Sequence, residues 1–129
     1  MSLKIERLAW AIAEKEGWMS ALERPSTKGS RSYRNHNPGN LRHSPFQIGV
    51  IEGYAIFKSD MDGFAALIWD LRQKSIGNTS TGLTPDATLR DLIEVWAPYT
   101  DLNDTDKYIA DVVQMTGFKE TDRLKDICV

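Results

Sequence analysis

From Trp18 to Pro45 the chain shows no hydrophobic period of either kind, yet apolar stripes at helical spacing stand on both sides of it. Structureless connections beyond about 12–15 residues are uncommon inside compact domains and tend to be functional or disordered. Any fold available to this chain must therefore set helices around a long polar segment. Its second part reads "SYRNHNPGNLRH", Ser32 to His43, with almost nothing apolar to bury. Arg24, Lys28, Arg31, Arg34 and Arg42 fall in the segment and no Asp or Glu separates them, so it is basic within a chain of net charge −2. Such a loop either meets an anionic polymer or is simply solvated.

The flanking stripes set the rest. Ile5, Leu8, Ala9, Ile12 and Ala13 repeat as one helical face, which Gly17 ends as a C′ residue. Ser59 followed by Asp62 is a capping pattern, after which Phe64, Leu67, Ile68 and Leu71 repeat until "SIGNTSTG" breaks the period. Thr88 with Asp91 opens a further helix carrying Leu89, Leu92, Ile93 and Trp96, stopped by Pro98. The next helix spans about Asp104 to Thr116, with Ile109, Val112 and Val113 inward and Gly117 as its cap, and "KETDRLKDICV" predicts a last short one. Between loop and second helix, "FQIGVIEGYAIF" has the β-branched and aromatic content of a small hairpin around Gly49 and Gly53. The expectation is an α+β, mainly α fold in one domain, 1–129, with four or five helices, a β-hairpin and one long polar loop.

Composition narrows the function classes. Hydrophobic residues at 41% and charged residues at 26% are those of an ordinary soluble globular chain. The slight acidic balance argues against a general nucleic-acid binder. The single cysteine, Cys128, leaves no intramolecular disulfide and no metal cluster, and His36 and His43 stand in the polar loop without Cys or clustered acids. No metal and no organic cofactor are therefore expected. The first residues lack a signal-peptide pattern and no run nears the ~18 apolar residues of a membrane span. The expectation is cytoplasmic synthesis without membrane insertion, and delivery by another protein if the target lies outside the cytoplasm.

One carboxylate stands on the wrong face. At 100° per residue Glu16, four residues after Ile12, falls inside the apolar arc of the first helix, whereas Glu14 points away. Loss of water and the negative end of the helix dipole both favour its protonated form. A carboxylic acid kept protonated near neutral pH is suited to general-acid cleavage of a glycosidic bond. The same spacing is met by a helix that frays before Glu16 and lets the side chain reach water.

Four stretches in order, "LAWAIAEKEGW", "RNHNPGNLR", "YAIFKSDMDGFAAL" and "DTDKYIADVVQMTGF", resemble the small lysozyme-like domains of bacteriophage and prophage proteins. These are distant relatives of goose-type lysozymes, lytic transglycosylases and flagellar-type glucosaminidases, and the resemblance covers about Ile5 to Phe118. It implies a lysozyme-like fold with a groove for a peptidoglycan glycan strand, and cleavage of the β-1,4 bond between N-acetylmuramic acid and N-acetylglucosamine. In such families the acid is a glutamate at the end of the first core helix, which here is Glu16.

The resemblance also implies a groove lined by the Asn35–Arg42 loop, with Asn35, Asn37, Asn40 and Arg42 as sugar-binding candidates, joined by Tyr54 and by Tyr108 of the late helix. Asn37 and Asn40 are equally suited to making the turn around Pro38 and Gly39, and Tyr108 to an amphipathic core position. Trp18 either shields the acid or lines a subsite; Trp96 lies on an apolar stripe, while Trp10 and Trp69 fall off the stripes. A hydrolase needs a second carboxylate, for which Glu52 and Asp60 are the candidates beside Asp62, although acids in a first helical turn are explained by the dipole alone. Without one, the single-glutamate chemistry of a lytic transglycosylase remains. The partners implied are glycan strands and other phage or virion proteins, for a chain acting as a monomer. The rival reading is a lysozyme-like virion or glycan-binding module without turnover.

Overall fold

The computed structural model describes residues 3–18 and 30–129. Residues 19–29, with Arg24 and Lys28 of the basic segment, lie outside them. In chain order come α1 (Lys4–Lys15), α2 (Arg31–Arg34), β1 (Gly49–Ile51), β2 (Tyr54–Ile56), α3 (Asp60–Ser75), α4 (Leu89–Trp96), a 3-10 turn (Tyr99–Asp101), α5 (Thr105–Thr116) and α6 (Leu124–Ile127). The architecture is mainly helical with one two-stranded antiparallel sheet, as the stripes and the hairpin pattern predict. It divides into two compact units: Met1–Ala11 with Leu71–Val129, and Ile12–Asp70. No helix among the described residues is long and apolar enough to cross a membrane.

In the first unit, Leu89, Leu92 and Ile93 of α4 and Ile109 and Val112 of α5 are buried. The Thr88–Asp91 capping box forms in both directions: the Asp91 amide donates to Thr88 Oγ1 at 3.2 Å and the Thr88 amide to Asp91 Oδ2 at 2.9 Å. Asp104 caps α5 by accepting from the Lys107 amide, and Gly117 ends it at φ +78°. The tail docks by backbone bonds, Leu124 N–H to Ala87 O and Leu89 N–H to Asp122 O. It carries Cys128, whose thiol burial pushes up to about 12. Tyr108 is 7% exposed on α5, the amphipathic core position its helix allows. Trp96 is half-buried, with the Lys74 ammonium 5.2 Å from its ring centroid. The expected stop at Pro98 falls just after the helix, and the 3-10 turn that follows is too short to leave a periodic signal.

In the second unit the hairpin pairs Gly49 with Ile56 and Ile51 with Tyr54. Its two-residue loop, Glu52 and Gly53, has φ of +51° and +83°, the geometry of a type I′ turn, which suits the strand twist. Sequence reasoning leaves Ser30 to Asn35 as loop; the structure makes Arg31–Arg34 a helical turn capped by the Ser30 hydroxyl. Four residues are too few for a stripe. Helix α3 starts where Ser59 accepts from the Asp62 amide, and ends on Gly77 at φ +77°.

One glycine of α3 fixes where the polar loop lies. A Cβ on Gly63 would stand 1.9 Å from the His36 carbonyl oxygen and 2.8 Å from Pro38 Cδ, so the loop backbone rests directly on the helix. A helix-interior Gly→Ala change ordinarily gains up to about 1 kcal/mol; here overpacking reverses the sign. Gly63→Ala is expected to destabilise the protein by at least about 2 kcal/mol, read as a lower urea midpoint. An unchanged or higher midpoint would contradict the packing.

Candidate functional site

The candidate site is built on the last turn of α1. The Gly17 amide donates to Glu14 O at 3.1 Å and the Trp18 amide to Ala13 O at 3.0 Å, with Gly17 at φ +85°. This is a Schellman closure, in which two carbonyls orphaned by the helix end are satisfied by the chain leaving it. Glu16 is the last residue before the left-handed glycine, its amide still bonded to Ile12 O at 2.9 Å, and it is neither buried nor fully exposed. The helix holds up to Glu16 and does not fray before it.

The carbonyls of Glu16 and Gly17 are taken by hydroxyls from the polar segment. Ser32 donates to Glu16 O at 2.9 Å and Ser30 to Gly17 O at 2.8 Å. Ser30 also accepts from the Tyr33 amide and so caps α2. The backbone on either side of the Glu16 side chain is thereby fixed, and α2 is hung on the end of α1. Neither serine stands out by residue type; a serine before a short basic turn is the faint signal that could have pointed to them.

Beyond α2 the loop is folded by side chain to backbone bonds. Asn37 is 0% exposed, and its amide group donates to Leu41 O at 2.8 Å and Ala55 O at 2.9 Å while its oxygen accepts from the Leu41 amide at 2.9 Å. One donor closes the turn at Leu41 and the other ties it to β2 at Ala55, so the buried side chain has no donor left for a sugar. Asn35 is 6% exposed, its carbonyl accepting from Phe57 N–H at 3.0 Å. Asn40 differs. It adopts φ +50° and its side-chain oxygen is buried without a hydrogen-bond partner among the described residues, a state that costs about 1–3 kcal/mol.

The remaining candidates separate by geometry. Trp18 is 7% exposed, edge-on to Phe64 at 5.2 Å between ring centroids and tilted to Tyr33 at 6.2 Å. Its indole N–H donates to Asp60 Oδ1 at 3.3 Å, which also meets His36 Nδ1 at 2.9 Å. Trp18 is thus a packing residue between Phe64 and Tyr33, and Asp60 is engaged with both Trp18 and His36. Glu52 is exposed at the hairpin tip. Trp10 and Trp69 are 51% and 40% exposed, Trp69 lying edge-on to Phe46.

Tyr54 and Arg42 do come together. The Arg42 guanidinium lies 4.6 Å from the Tyr54 ring centroid, and that of Arg31, which sequence reasoning did not single out, lies 4.0 Å from it. The structure therefore brings Glu16, Trp18, the Asn35–Arg42 loop, Tyr54 and Asp60 into one unit, Ile12–Asp70, and places Tyr108 in the other. Among the described residues no group of three or more metal-ligating side chains forms. A cavity of about 510 Å³ beside α4, lined by Thr81 to Thr84 and Asp91 among others, belongs to the other unit and gathers none of these residues. No family model, curated protein or solved structure matches this chain.

Removing the Asn37 amide leaves buried groups of Leu41 and Ala55 short of partners. Asn37→Ala is expected to cost about 2–4 kcal/mol in chemical unfolding. A cost below about 0.5 kcal/mol, that of an ordinary surface change, would show that the loop is not held as described.

Proposed function

We propose that this chain is a lysozyme-like, peptidoglycan-cleaving domain that breaks the β-1,4 bond between N-acetylmuramic acid and N-acetylglucosamine, with Glu16 as general acid. The observation that carries the reading is the position of Glu16. It stands at the closed end of the first helix, half-buried, with its backbone pinned from both sides by the Gly17 closure and the two serines. A general acid must be held in place before it can be tuned, and among the described residues Glu16 is the carboxylate whose own backbone carbonyl is bonded by a hydroxyl of the polar segment. The order of the four sequence stretches, which resemble lysozyme-like domains, supports the same residue.

The two candidate second carboxylates favour the one-glutamate route. Asp60 already accepts from Trp18 and meets His36, and Glu52 sits in a left-handed turn at an exposed tip. In that route Glu16 gives its proton to the bridging oxygen as the bond to the muramic acid anomeric carbon breaks. The 6-hydroxyl of the same sugar then attacks that carbon and returns its proton to the Glu16 carboxylate. The sugar's own N-acetyl group steadies the positive charge between the two steps. The products are an N-acetylglucosamine-ended strand and a 1,6-anhydro-muramic acid end, with the enzyme regenerated.

Positioned general acids contribute about 10²–10⁴-fold to rate. Glu16→Gln, which keeps size and polarity, is expected to lower the clearing rate of a cell-wall suspension by at least about 10²-fold without loss of fold. An active Gln variant would remove Glu16 from the mechanism. A folded wild type that clears no wall would leave the binding-module reading in its place.

A further inference from the structure

Arg31 and Arg42 stand 4.0 and 4.6 Å from the centroid of one ring, Tyr54, closer together than the roughly 10 Å Debye length at 0.1 M salt. Two cations so placed repel each other, and a bound anion would offset that repulsion. Neither side chain makes a hydrogen bond or an ion pair with a described residue, and the Arg31 Nε is buried without a partner among those residues. Arg42 is exposed and Arg31 half-buried. A guanidinium lying on an aromatic ring keeps its edge N–H groups directed outward, where they match the two oxygens of a carboxylate.

The arrangement is built in rather than incidental to flexible side chains. Tyr54 is fixed in β2 by its register with Ile51. Arg42 follows Leu41, whose carbonyl is bonded to the Ala55 amide at 3.0 Å and to Asn37, so it falls beside Tyr54. Arg31 stands between the two serines that bind the carbonyls of Glu16 and Gly17. The same clamp that fixes the Glu16 backbone thus carries one of the two cations, within a single unit.

We infer that Arg31 and Arg42 form a carboxylate-binding site on Tyr54 that recognises the acidic group borne by a muramic acid residue of the glycan strand. The inference rests on the glycosidase reading for its choice of ligand. That group is either the free lactyl carboxylate of the sugar or a carboxylate of the peptide attached to it, and both present the same two oxygens.

The test is a binding titration of the wild-type protein, followed by NMR, with two disaccharides that differ only in the acid. N-acetylglucosaminyl-N-acetylmuramic acid carries the lactyl carboxylate, and its bond is of the other glycosidic type, so it is not consumed. Chitobiose has the same sugar scaffold without the acid. The acidic disaccharide is expected to bind about tenfold more tightly at low salt, and Arg42→Gln and Arg31→Gln are each expected to remove most of that preference. Arg42 is exposed, so its variant decides the matter even if the Arg31 variant does not fold. Adding the disaccharide with a stem dipeptide, whose lactyl group is an amide, assigns the source: tighter binding of either acidic form supports the site.

Equal affinity for the acidic disaccharide and chitobiose, no binding of either acidic form, or a preference that survives in Arg42→Gln would overturn it. So would a single-stranded oligonucleotide that binds through both arginines while the acidic disaccharide does not. An acid preference in a protein that clears no cell wall would sink the glycosidase reading and leave the site standing.

Discussion

Four carbonyls at the end of an α-helix have no partner within it, and how they are satisfied decides what the chain does next. At the end of α1 the leaving chain takes those of Ala13 and Glu14 through the left-handed Gly17, the Ser32 hydroxyl takes that of Glu16, and the Ser30 hydroxyl takes the carbonyl of Gly17 just beyond the helix. Each hydroxyl bond contributes only about 1 kcal/mol net, but their joint effect is positional. They fix the backbone that carries Glu16 and the turn that carries Arg31.

From that point the polar loop behaves as a folded layer. The Asn37 side chain acts as a short piece of extra strand, bonding Leu41 and Ala55 on either side. Gly63 lets the loop backbone lie on α3 with no side chain between them. Trp18 fills the space behind, closed by Phe64 and tied to Asp60. Satisfied groups here rigidify; among the described residues Asn40 Oδ1 and Arg31 Nε stand out against that background because native structures leave few buried polar atoms unpaired.

The helices were legible because their signals are local. The Thr88–Asp91 box and the Leu89, Leu92, Ile93 stripe fall within one turn or two of each other, and Gly17 and Gly117 end their helices where the period ends. Glu16 was legible for the same reason, as a helical position reached by counting from Ile12. The loop was not, since its order comes from bonds such as Ser32 to Glu16 and Asn37 to Ala55 that join residues far apart in sequence. Tyr54 and Arg42 were picked out one by one, but their meeting with Arg31 depends on a hairpin register and a helix cap at once. Asn37 shows the opposite case: its residue type fitted both a sugar contact and a turn, and only the pairing of its donors separates them.

The proposed cleavage of glycan by a single positioned carboxyl is tested most directly by mass spectrometry of the fragments released from purified sacculi. It predicts strands cut between N-acetylmuramic acid and N-acetylglucosamine, with muramic acid ends one water lighter than the reducing sugar. Reducing muramic acid ends would contradict the one-carboxylate chemistry, and sacculi left uncut by the folded protein would contradict the account as a whole.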